Sequence, residues 1–132
     1  MIGGAAIARR YARALFGLGE EVADPAALLG DLEAFCEATE SSSDLSRVMF
    51  TPLHPRAERR AVVADVASGL GLRDEMRAFL MILVDENRTK LLDEVRVSLR
   101  QQVEEAAGRV TAQVTSAREL SESELEGIRA AL

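Results

Sequence analysis

Residues Ala5 to Leu18 read AAIARRYARALFGL, and the placement of apolar side chains along this stretch decides the fold class. Ile7, Tyr11, Ala14 and Leu18 recur three and four apart, which puts them along one side of a helix. Ala8, Ala12, Leu15 and Phe16 keep the same spacing on an adjoining side, so only Arg9, Arg10 and Arg13 are left for water. A helix in a small domain normally buries one stripe about 100° wide. The second stripe is therefore either deep core or a surface kept for another chain.

The segments that follow are helical as well. Asp24-Pro25 pairs an N-cap acid with a proline suited to the first helical position, ahead of Leu28, Leu29, Leu32, Phe35, Cys36 and Thr39 at helical spacing. The run Ser41-Ser42-Ser43-Asp44 breaks that helix and caps a short one carrying Leu45, Val48, Met49 and Phe50, which Thr51-Pro52 ends. A fourth helix is expected from His54-Pro55 through Val62, Val63, Val66 and Leu70, with Gly69 and Gly71 stopping it. A fifth, from Arg73 to about Asn87, contains the continuous apolar run Phe79 to Val84, whose side chains must point all round the axis. Leu91, Leu92, Val95, Leu99, Val103 and Ala106 define a sixth, expected to close at Gly108.

Beyond Gly108 the texture changes. Val110, Ala112, Val114 and Ser116 alternate with Thr111, Gln113 and Thr115, the period of a strand, and Ser121 with Glu124 forms a capping box before Leu125, Ile128 and Leu132. The expected fold is mainly α: a six-helix bundle over residues 1–108, then one strand and one helix over 109–132 as the beginning of an incomplete α/β domain.

Composition narrows the function. The chain has 132 residues, 48% of them apolar, so it can build a core. Its net charge of −6 and pI near 4.9 do not supply the positive footprint that nucleic acid requires. No run approaches the roughly 20 apolar residues of a membrane span, and a single cysteine fits a reducing compartment. Catalysis finds little support. His54 is the only histidine and reads as a loop or capping residue, and Cys36 reads as an inert core thiol. Asp85 and Glu86 diverge by about 100° on a helix. Gly17-x-Gly19 and Gly69-x-Gly71 lack the strand-glycine-helix context of nucleotide loops and read as helix ends or close contacts. No metal, cofactor or catalytic residue is expected. The first and fifth helices, both too apolar for one buried face, suggest instead a joint groove that takes an amphipathic helix.

Four segments carry a resemblance. Ala8-Arg9-Arg10-Tyr11-Ala12-Arg13-Ala14-Leu15-Phe16, Thr51-Pro52-Leu53-His54-Pro55, Asp85-Glu86-Asn87-Arg88, and Val110 to Ala117 before Leu-Ser-x-x-Glu-Leu occur in the order of the delta subunit family of bacterial F-type ATP synthase, which includes the mitochondrial oligomycin-sensitivity-conferring protein. The resemblance implies a non-catalytic part of the stator, peripheral on the cytoplasmic face of the bacterial inner membrane. It implies a groove between the first and fifth helices that receives the N-terminal helix of an alpha subunit. By position that groove would include Tyr11, Ala14 and Leu18 with Phe79, Leu80 and Leu83; Ile7 and Glu86 are added by spacing. Leu83→Asp is then expected to weaken docking and leave the bundle folded. Family members continue into further strands that engage the stalk's b subunits, so a chain ending at Leu132 is expected to be C-terminally truncated. The reading from another class is a free-standing helical peptide-binding adaptor or regulator.

Overall fold

The structure of the chain, a computed structural model, describes residues 3–22, 24–51 and 53–131, with side chains described through Ser116. Among these residues the chain forms six α-helices: α1 (Gly4–Val22), α2 (Pro25–Ser41), α3 (Ser43–Phe50), α4 (Arg56–Leu70), α5 (Asp74–Asp85) and α6 (Leu92–Ala131), the last preceded by a 3₁₀ turn at Thr89–Leu91. The helix boundaries follow local chemistry. Asp24 accepts a 3.0 Å hydrogen bond from the Ala26 N–H while Pro25 occupies the first turn of α2. Ser42 serves two helices at once: its N–H donates to Ala38 at the end of α2, and its hydroxyl accepts from the Leu45 N–H at 3.2 Å to begin α3. Gly71 ends α4 in the left-handed region at φ +68°, where a side chain would be strained, and Gly69 stays inside the helix.

Packing proceeds from these helices. α1 lies chiefly against α6 and α2, and α5 lies against α4. The core joins Ala8, Ala12 and Leu15 of α1 to Leu28, Leu32 and Phe35 of α2, Leu80, Leu83 and Val84 of α5, and Leu92, Val95 and Leu99 of α6. Full burial of each larger side chain contributes about 1.5 to 3 kcal/mol before the entropy of ordering is subtracted. The short link from α1 to α2 brings backbones very close. A Cβ on Gly19 would come within 2.6 Å of Pro25 Cα, whereas one on Gly17 would meet nothing within 4 Å.

Arg59 on α4 is buried, at 6% exposure. Its guanidinium donates to the carbonyls of Val48 (3.2 Å) and Met49 (2.7 Å) and to Thr89 Oγ1 (2.9 Å), and Thr89 in turn donates to the Met49 carbonyl at 2.6 Å. Those carbonyls close the last turn of α3, so the partially negative end of a helix stands where a carboxylate would otherwise balance the charge. The same guanidinium reaches Asn87 Oδ1 at 3.4 Å. Asn87 is the one non-glycine residue with positive φ, +56°, among those described, a conformation asparagine tolerates better than most residues. It turns the chain sharply after α5.

The C-terminal region differs from the reading of its sequence. The strand expected over Val110–Ser116 is absent from the described residues, and α6 runs through Gly108 and through the Ser121 and Glu124 positions as one 40-residue helix. The separate strand and short helix of an incomplete α/β domain are thus replaced by continuous helix. A lone strand would leave every ladder N–H and C=O unpaired, while a helix satisfies them within the segment. The apolar spacing permits either outcome, since Val103, Val110 and Val114 also recur at helical intervals. The Thr111 hydroxyl donates to the Ala107 carbonyl at 3.0 Å, a bond that only helical backbone allows at this separation.

Candidate functional site

Between α1 and α5 the bundle leaves an open groove of about 390 Å³, lined by Tyr11, Ala14, Leu15 and Leu18 on one side and Glu75, Ala78, Phe79 and Ile82 on the other. Seven of its eight lining residues are uncharged, Glu75 being the exception. It exists because the facing positions on α1 are small or set back: Ala14 gives a low floor, and Leu15 turns inward at 2% exposure. On α5, Ile82 stands on the rim at 48% exposure. An isoleucine so exposed beside other apolar side chains marks a surface suited to a partner.

One end of the groove is fixed by an aromatic and cationic stack. The Tyr11 and Phe79 rings meet edge to face, with centroids 5.8 Å apart and planes at 72°. Arg88 donates to the Tyr11 hydroxyl at 2.8 Å, and its guanidinium carbon lies 5.9 Å from the centre of the same ring. That hydrogen bond is the main influence holding the guanidinium still more firmly in its charged form. The sequence around Asn87 explains the reach: the left-handed turn after α5 sends the Arg88 side chain back to α1.

Of the residues expected at the site, Tyr11, Ala14, Leu18 and Phe79 line the groove together. Leu80 and Leu83 do not. They are 0% and 1% exposed and belong to the core, so an aspartate at 83 would break the fold that it was expected to spare. Ile7 is half-buried one turn before Tyr11, and Glu86 is exposed at the C-cap of α5; neither lines the groove. Ile82, Ala78, Glu75 and Leu15 also line the groove and are not among the residues expected there. Spacing from Phe79 alone could have found Ile82 at i+3, but the unbroken apolar run gives i+4, Leu83, the same apparent claim.

The other candidate groups sit in ordinary surroundings. Asp85 is engaged by Arg60 at 2.7 and 2.5 Å. His54 Nδ1 lies 3.3 Å from Glu58 Oε1, one helical turn along. Burial pushes the Cys36 thiol up to about 12, against the lowering influence of Arg96. Among the described residues no group of three or more His, Cys, Asp or Glu side chains is placed to hold a metal, and no helix is long and apolar enough to cross a membrane. A larger hollow of about 530 Å³ lies where Phe16 and Pro25 face Val103, Ala106 and Val110, one wall of it being the stretch of α6 that leaves the bundle.

Comparison with known proteins places these observations. The family model described as ATP synthase delta (OSCP) subunit matches residues 7–132. The ATP synthase subunit delta of Anaeromyxobacter sp. (strain Fw109-5) is 39% identical over 122 residues, covering 92% of this chain and 68% of that protein. The same-named subunit of Jannaschia sp. (strain CCS1) is 33% identical over 126 residues, covering 96% and 68%, and that of Rhodobacter capsulatus is 34% identical over 128 residues, covering 97% and 69%.

Proposed function

Because the chain belongs to the ATP synthase delta (OSCP) family, we propose that its α1/α5 groove is the seat of an amphipathic helix, the N-terminal helix of an alpha subunit. The subunit is a non-catalytic part of the peripheral stalk, so its work is attachment. The observation that carries the reading is the groove itself, with Ile82 half-exposed on its rim. A helix laid there buries residues at i, i+3, i+4 and i+7 against Tyr11, Leu18, Phe79 and Ile82. Each well-buried anchor contributes about 1.5 to 3 kcal/mol. Several are needed, because association itself costs about 4 to 15 kcal/mol.

In this reading residues 1–108 are the alpha-binding unit, and contact with the stalk's b subunits belongs to the chain beyond them. The subunit is part of a membrane-associated complex, and we place it on the cytoplasmic face. The test is calorimetric titration of the chain with a peptide covering the N-terminal helix of an alpha subunit from the same organism. Saturable one-to-one binding that Ile82→Asp abolishes, with the helical content unchanged, supports the seat. A folded chain that takes up no peptide, or an Ile82→Asp variant that binds normally, overturns it.

A further inference from the structure

The groove is electrically different at its two ends. Arg88 follows the C-terminus of α5 and touches Tyr11, so that end of α5 lies beside the earlier half of α1. Leu18 and Glu75 both line the same groove, which requires α5 to run back along α1 in the opposite direction. The cations gather at the Tyr11 end: Arg88 on its hydroxyl, and Arg10, exposed one turn before Ala14 and on the same side of α1. Glu86 stands against them, and Asp85 is taken up by Arg60. The carboxylates gather at the Leu18 end, where Glu75 lines the groove and Glu21 is exposed one turn beyond Leu18.

We propose that this axial difference in charge fixes the direction of the docked helix, with its acidic half at the Tyr11 and Arg88 end and its basic half at the Leu18 and Glu75 end. The proposal rests on the groove being the seat of the alpha-subunit helix and adds to it the one orientation that is accepted. An apolar groove alone would accept a helix in either direction, because an i, i+3, i+4, i+7 stripe is nearly the same read from both ends. Charge breaks that degeneracy, since like charges brought together at a partly desolvated rim oppose docking. Helices generally carry Asp and Glu in the first turn and Lys and Arg in the last, matching their own dipole. A helix of that kind lies parallel to α1 and antiparallel to α5.

The experiment uses the full chain labelled with ¹⁵N and the alpha-subunit peptide carrying a nitroxide near its acidic end in one sample and near its basic end in another. The first label is expected to broaden the amide signals of Tyr11 and Ile82, and the second those of Leu18 and Glu75. The reverse pattern, or broadening of both ends alike by either label, overturns the orientation. Absence of saturable broadening anywhere in the groove overturns the seat on which the orientation depends, so the two failures are told apart. A second measurement uses the double variant Glu21→Lys, Glu75→Lys, whose fold is checked by circular dichroism. Its affinity is expected to fall about tenfold at low ionic strength, the deficit shrinking as salt is added. Affinity equal to that of the parent chain at low salt also overturns the proposal.

Discussion

The hydroxyl of Tyr11 accepts a 2.8 Å hydrogen bond from Arg88, 77 residues away in sequence, and the same ring stands edge-on to Phe79. This contact joins the first helix to the turn after the fifth and so sets the width of the groove at one end. Tyr11 is also the only tyrosine in a chain without tryptophan, which makes its emission a report on this single place.

Arg88→Met is therefore expected to change the intensity of tyrosine emission and to weaken binding of the alpha-subunit peptide, while the far-ultraviolet circular dichroism stays the same. Arg88→Lys should restore little, because a point ammonium cannot both donate to the hydroxyl and stack over the ring as a guanidinium does. Emission and affinity both identical to the parent chain would refute the role given to Arg88.

Ile82 and Leu83 are neighbours in sequence with opposite exposure, 48% against 1%. Leu83→Ala is expected to lower unfolding free energy by about 2 to 5 kcal/mol through the cavity it leaves. Ile82→Ala should cost folding less than Leu83→Ala and remove much of the peptide affinity. Urea denaturation with parallel calorimetry distinguishes the two.

The buried Arg59 predicts a large penalty for truncation. Arg59→Ala leaves the Val48 and Met49 carbonyls and the Thr89 hydroxyl short of a donor, and a loss of about 2 to 4 kcal/mol is expected. Arg59→Lys keeps the charge but loses the fork, so its urea midpoint should fall between those of Arg59→Ala and the parent.

Two glycines in one turn of α1 should respond in opposite ways to alanine. Gly19→Ala drives a Cβ into the Pro25 backbone and is expected to destabilise the fold by about 1 to 3 kcal/mol. Gly17→Ala meets open space and should be neutral or stabilising by up to about 1 kcal/mol from helix propensity. Thermal melts of the two variants test the close approach directly.

The Cys36 thiol, pushed up to about 12 by burial from an ordinary 9.0, predicts an alkaline effect. Below pH 9 the thiol is neutral in folded and unfolded chains and costs nothing. Above it the unfolded chain releases the proton first, so stability falls with rising pH until the folded thiol also ionises near 12. The slope of stability against pH above 9 should be shallower in Cys36→Ala. In the parent chain at pH 8, a thiol reagent should react only on unfolding.

The parts of this fold that the sequence makes legible are those decided within a few residues. Asp24-Pro25 and Ser42 announce helix ends because a cap acts on the next turn. Tyr11, Ala14 and Leu18 announce a face because their spacing has a phase. Phe79 to Val84 has none: six consecutive apolar residues fit any rotation of α5, and only packing against α4 and the other core helices turns Leu83 inward and Ile82 outward. Arg59 was invisible for a different reason, since its partners lie 10 to 30 residues away and an arginine between Glu58 and Arg60 reads as surface. Val110 to Ser116 is helical where a strand is expected, because its alternation is compatible with both periods.

α5 is an uninterrupted helix that gives Ile82 to the groove and Leu80, Leu83 and Val84 to the interior, while Phe79, 6% exposed, belongs to the core and also lines the groove. A load applied at the groove would therefore pass through one helical turn into close-packed side chains without crossing a loop.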